Sequence, residues 1–133
     1  KARIVSEGND CTLVATGRMV SFCENAAQAL AEDGITCDII DPRTTSPLDE
    51  DAILDSVEKT GRLVVVDETP PRCSFAADIA ALAAGEVFSS LKAPVRQITG
   101  PHSPVPFAKE LEGEFVPSPT KIRDAVSEVV NFK

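Results

Sequence analysis

The stretch "RLVVVDE", residues 62–68, decides the fold. Four aliphatic residues in a row, 63–66, leave the segment no polar face, which is the mark of a strand covered on both sides in a parallel sheet. Working backwards, "DPRTTSPLDEDAILDSVEKTG" (41–61) reads as a loop and then a helix. Ser46 or Asp49 is its N-cap, Pro47 sits in its first turn, and the acids at 49–51 suit the positive end of the helix dipole. Gly61 ends that helix. Working forwards, "TPPRC" is a break, and an alanine-rich helix is expected over 74–91 with Phe75, Ile79, Leu82, Val87 and Leu91 inward.

The rest of the chain repeats this alternation. "CTLVATG" (11–17) and "ITCDIID" (35–41) are strands, and between them Met19, Cys23, Ala26, Ala27 and Leu30 recur at helical spacing up to the stop at Gly34. "APVRQITG" (93–100) is a further strand. In "SPTKIRDAVSEVV" Ser118 caps, Pro119 starts, and Ile122, Ala125, Val126 and Val129 face the core. "KARIVSEG" is read as a short edge strand. Strands alternating with helices predict an α/β domain, a three-layer αβα sandwich on a mostly parallel sheet of about five strands. Residues 1–133 are expected to form a single domain, and an opening Lys in place of Met leads us to expect an excised piece of a longer chain.

Composition narrows the function classes. The chain is 43% hydrophobic and 26% charged, a globular balance without a low-complexity tract. No apolar run can span a membrane, and no charged leader precedes an apolar segment, so neither a membrane nor a secretory role is expected. Net charge is −8, from 21 acids against 13 bases, and the bases are scattered, so nucleic acid is not an expected partner. Cysteines at 11, 23, 37 and 73 lack zinc-site spacing. They read as reduced and mostly buried thiols of a cytoplasmic protein, with Cys73 the exposed one.

Ligands of such sheets bind outside the carboxyl ends of the strands. That edge gathers Arg18, Asp41, Arg43, Asp67, Glu68, Arg72 and His102. No dinucleotide fingerprint, Walker loop or nucleophile elbow accompanies them. Adjacent residues on a strand point to opposite faces, so Asp67 and Glu68 are a poor acid/base pair. One of them is expected to cap a helix or pair with Arg43 or Arg72, and Arg43 to anchor its loop through an ion pair. The helix start at Gly17–Arg18 is a candidate anion site. His102, the only histidine, stands among three prolines in "GPHSPVPF" (100–107), a stiff connection leaving the last strand.

The phrases "EGNDCTLVATGRMV", "DPRTTSPLDEDAILDSVEKTGRLVVVDE", "LKAPVRQITGPHSPVPF" and "KELEGEFVPSPTKI" together resemble the C-terminal domain of the transketolase family. Within it the chain is similar to the beta subunit of the E1 component of 2-oxo acid dehydrogenase complexes. "PRCSFAADIAAL" and "GPHSPVPF" resemble the acetoin-dehydrogenase type, and His102 stands where pyruvate-type sequences tend to carry Asp. Acetoin, pyruvate and branched-chain 2-oxo acids all remain open as substrates of the parent.

The resemblance implies a division of labour. Thiamin diphosphate and Mg would be bound outside this domain, which would be catalytically silent alone. It would serve assembly with the E1 alpha and beta subunits of an α2β2 tetramer and docking of the E2 acyltransferase subunit-binding domain. The matching docking positions are Lys92, Arg96, Phe132 and Lys133, and an exposed apolar patch is expected where partners pack. Acids are usual at the first two positions because the binding module is basic, so two bases imply a differently charged partner. His102, Arg43 and Glu68 are the positions that could border the active-site channel or an interface. The alternatives are the end of a transketolase or deoxyxylulose-phosphate synthase, and a free-standing flavodoxin-like module binding an anion or nucleotide.

Overall fold

Alternating side chains sort the strands onto one sheet, although the interior strand Leu63–Val66 carries no polar residue to mark a face. The computed structural model describes residues 1–43, 48–68, 74–99 and 117–132. Its strands are β1 (Arg3–Ser6), β2 (Cys11–Ala15), β3 (Cys37–Asp41), β4 (Leu63–Val66) and β5 (Arg96–Ile98). Its helices are α1 (Met19–Glu32), α2 (Glu50–Thr60), α3 (Phe75–Glu86) and α4 (Pro119–Val130), with a 3₁₀ turn at Phe88–Ser90. The sheet order is β1-β3-β2-β4-β5. β2, β3, β4 and β5 are mutually parallel, and β1 runs antiparallel along β3, Ile4 opposite Ile40.

Odd and even positions then build two cores. Cys11, Leu13, Ala15, Cys37, Ile39, Val64 and Val66 face α1 and α4. Val14, Ile40, Leu63 and Val65 face α2 and α3. The result is the expected three-layer αβα sandwich on a five-stranded, mostly parallel sheet. "LVVV" is apolar throughout because both its faces are covered.

Local signals mark most helix ends as read from sequence. Ser118 Oγ accepts from the Lys121 N–H (3.2 Å) ahead of Pro119. Asp49 is the cap of α2, accepting from the Ala52 N–H (3.3 Å) and the Ala2 N–H (2.9 Å). Helix α2 begins at Glu50; Ser46 and Pro47 lie outside the described residues. At its far end Gly61 takes φ 74°, the left-handed geometry a helix stop uses.

Two expectations change. Helix α3 stops at Glu86, short of residue 91, because Val87 leaves the helical region at φ −131°, ψ 27° and the chain tightens into the 3₁₀ turn. Its buried stripe is Ala76, Ile79, Ala83 and Val87, while Leu82 is only half-buried. Small alanines let this helix lie close on the sheet. Strand β5 is only three residues long, since Pro94 has no N–H for the ladder and the Lys92 N–H is already donated to Gly61 O (2.7 Å).

Polar groups knit the amino ends of the strands. Buried Asp38 accepts from the Gly8 N–H (2.8 Å), the Ser56 hydroxyl (2.6 Å) and Lys59 Nζ (2.9 Å). Thr12 bonds both Ser56 (2.7 Å) and Thr60 (2.8 Å). Arg62 ties β4 to its neighbours by donating to Asp10 O (3.1 Å) and Val129 O (3.2 Å). Gly8 lies so close to the start of β3 that a Cβ would stand 2.2 Å from Cys37 N.

Candidate functional site

Parallel topology places the usual ligand edge where β2 and β4, adjacent strands with connections running in opposite directions, end. Arg18 and Glu68 meet there in an exposed ion pair. Asp67, buried, accepts from the Ala76 N–H (3.2 Å) in the first turn of α3. One acid therefore caps a helix, as expected, but the arginine paired with the other is Arg18 rather than Arg43. Arg43 is exposed with φ 68°, and its N–H donates to Asp41 Oδ1 (2.9 Å). Among the described residues it makes no ion pair; Asp41 pairs with Arg3 (3.7 Å) instead. In place of the expected ion pair, a main-chain turn to Asp41 holds Arg43.

The start of α1 is also occupied by the chain itself. The Met19 and Val20 N–H groups donate to Thr16 O and Gly17 O (both 3.2 Å). With Arg18 held by Glu68, the groups an anion would use are already engaged. His102, Arg72 and Cys73 lie outside the described residues. The other three thiols are buried and free, as expected. Burial pushes the Cys23 and Cys37 thiols up to about 12, and Cys11 well above its ordinary value, so none is a nucleophile at neutral pH.

A different surface is left open. Helix α3, the 3₁₀ turn, the stretch leading into β5 and Phe132 enclose an apolar groove of about 760 Å³. Ala80, Ala81 and Ala84 form one wall, and Leu91, Pro94 and Val95 form another. Phe88 and Phe132 stand at its rim, 73% and 49% exposed. Among the described residues Lys92 is its only charged lining residue. Its stem covers Gly61, and the main-chain bond to Gly61 O fixes its place.

The groove brings together two of the four docking positions, Lys92 and Phe132. Arg96 is directed elsewhere, to the α4 face, where Nε donates to Glu128 Oε1 (2.9 Å). Lys133 lies outside the described residues. Phe88 was not singled out in the sequence. Read as part of one long helix, it carried no signal of exposure, and only the break after Glu86 turns it outward.

A match to the family described as "Transketolase, C-terminal domain" runs over residues 1–122. The chain belongs to that family. Its relatives include the Bacillus subtilis acetoin:2,6-dichlorophenolindophenol oxidoreductase subunit beta, 52% identical over 98% of this chain and 38% of the relative. The same-named subunit of Cupriavidus necator is 49% identical over 94% of the chain and 37% of the relative. The Rickettsia bellii pyruvate dehydrogenase E1 component subunit beta is 41% identical over the whole chain and 41% of the relative. The chain thus spans about two fifths of the curated relatives it matches.

A solved split-gene transketolase, an inactive beta4 tetramer, superposes on the entire domain with a TM-score of 0.85 at 22% identity, and covers 42% of that chain. The likeness shows that this transketolase C-terminal domain has the fold expected of it. Among its described residues no group of three or more His, Cys, Asp or Glu side chains is placed to hold a metal ion. Among the described carboxyl-edge residues Arg18 and Glu68 pair with each other and Asp67 caps α3, while Arg43 is exposed without an ion pair. No helix described is long and apolar enough to cross a membrane.

Proposed function

We propose that this chain is the C-terminal domain of a longer beta subunit, the part of a cytoplasmic, thiamin-diphosphate-dependent E1 component that serves assembly and docking. The parent would be an oxidoreductase that handles acetoin or a 2-oxo acid and passes the acyl group to the E2 acyltransferase. Identities of 52% and 49% to acetoin-type subunits, against 41% to a pyruvate-type one, favour the acetoin type. The cofactor and its Mg would be bound by parts of the assembly outside this domain, and the domain alone would be inactive.

One observation carries the assembly role: the groove that joins Phe88, Lys92 and Phe132. Exposed aromatics around an apolar concavity are what a protein interface presents before its partner arrives. Among the described residues of the carboxyl edge, Arg18 and Glu68 engage each other and Asp67 engages α3. Partners in the α2β2 tetramer and the E2 subunit-binding domain are the occupants this reading names, and neither nucleic acid nor a membrane is among them.

The test is association of the intact subunit with the acyltransferase core. Phe88→Asp places a charge in the groove, and co-sedimentation should weaken at least about tenfold, roughly 1.4 kcal/mol. Unchanged association would remove the docking role. Turnover by the purified domain, supplied with thiamin diphosphate and magnesium, would overturn its inactivity.

A further inference from the structure

The chain is strongly acidic, yet among the described residues the one charge lining its large apolar groove is a cation. Lys92 lines the groove with no acid beside it among the lining residues. Among the described residues its ammonium has no ion-pair partner. Arg96, the second base of the docking positions, is tied to Glu128 on the other side of the sheet and adds nothing to the groove. The groove therefore offers an apolar trough, two rim aromatics and a single positive charge fixed by the Gly61 main chain. A groove walled by alanines admits the apolar face of a helix, which docks by anchors spaced along one side.

From this we infer that the occupant is an amphipathic helical segment of a protein partner, with an apolar anchor for the trough and a carboxylate beside it for Lys92. The inference rests on the docking role proposed above and adds the partner's chemistry to it. Charge at such a rim selects among partners and speeds encounter more than it adds affinity. An acidic flank meets Lys92. A basic flank meets a like charge there and gains nothing from the neutralised Arg96. The remaining acids of the domain are outside the groove lining and do not reverse this local preference.

Two synthetic helical peptides with one shared Phe/Leu stripe, flanked by Glu in one and by Lys in the other, test it. Their binding to the intact subunit is read by fluorescence anisotropy at low and high salt. The Glu-flanked peptide should bind about 3- to 10-fold tighter at low salt, with the preference fading at high salt. Lys92→Glu should reverse the order, and Phe88→Ala should weaken both peptides. Lys92→Gln, which keeps a stem over Gly61, should abolish the preference without reversing it.

Equal binding, or preference for the Lys-flanked peptide, overturns the inferred chemistry and leaves the docking role standing. If neither peptide binds and Phe88→Ala leaves association with the acyltransferase unchanged, the docking role falls as well. Self-association of the subunit that Phe88→Ala abolishes assigns the groove to a second copy and overturns the inference too.

Discussion

The two ends of the same parallel strands are built on opposite principles. At the amino ends, Asp38, Ser56, Thr12 and Thr60 are buried and bonded in one network. At the carboxyl ends, Arg18 and Glu68 pair in solvent, 60% and 45% exposed at the side chain. The end that usually holds a ligand in this architecture carries the looser contacts, and the far end carries the firm ones. Burial makes the difference. A hydrogen bond shielded from water is costly to break, because its partners are left without a substitute. Among the described residues the amino edge is thus the firmer of the two.

Removing the hub of the amino network should produce the largest effect of any single substitution. Asp38→Ala leaves the Gly8 N–H and the Ser56 hydroxyl without their acceptor, while Lys59, half-exposed, can turn to water. The expected loss is about 3 kcal/mol in a urea unfolding experiment. A loss below about 1 kcal/mol would show that the network fills space rather than locks it.

The opposite face of the same strand ends gives a second measurement. Cys11 and Cys37 are register partners at the starts of β2 and β3, with Cys23 packed in the same core. Burial raises all three thiols, so the folded state keeps its protons where the unfolded chain has lost them. The stabilisation is complete below the ordinary thiol range and is lost as pH rises from about 9 towards 12. By about pH 10 each thiol should have cost about 1.4 kcal/mol, about 4 kcal/mol for the three, and Cys37→Ala should reduce that slope by about a third. A slope the variant leaves unchanged would place the alkaline weakness elsewhere.

Most of this fold was legible because its signals are local. The continuous aliphatic run at 63–66, the Ser118–Pro119 start and the Gly61 stop each act within a few residues of themselves. The Arg18–Glu68 pair was not legible, since 50 residues separate its members and the sequence offered Arg43 and Arg72 as equal candidates. The Thr12–Ser56 bond spans 44 residues and belongs to the packing of α2 on the sheet, which no periodicity encodes. Lys92 and Phe132, named through family likeness, both line the groove, which the sequence alone did not outline. Phe88 was hidden because the apolar spacing of the helix continues at Val87 and Leu91, past the point where the backbone leaves it.

The smallest effect is the sharpest test of the contrast. If the carboxyl edge is loosely held, Arg18→Ala and Glu68→Gln should each change stability by no more than about 0.5 kcal/mol. The double variant should show little coupling, and added salt should shrink what there is. Asp67 supplies the internal comparison, since it sits one residue from Glu68 but is buried against the first turn of α3. Asp67→Ala should cost more than either surface change, by about 1 kcal/mol or beyond. If Arg18→Ala instead matched Asp38→Ala in cost, the carboxyl edge would be as firmly built as the amino edge. Exposure would then fail to separate the two, and a fixed Arg18–Glu68 pair would itself need a partner in the assembled enzyme to explain it.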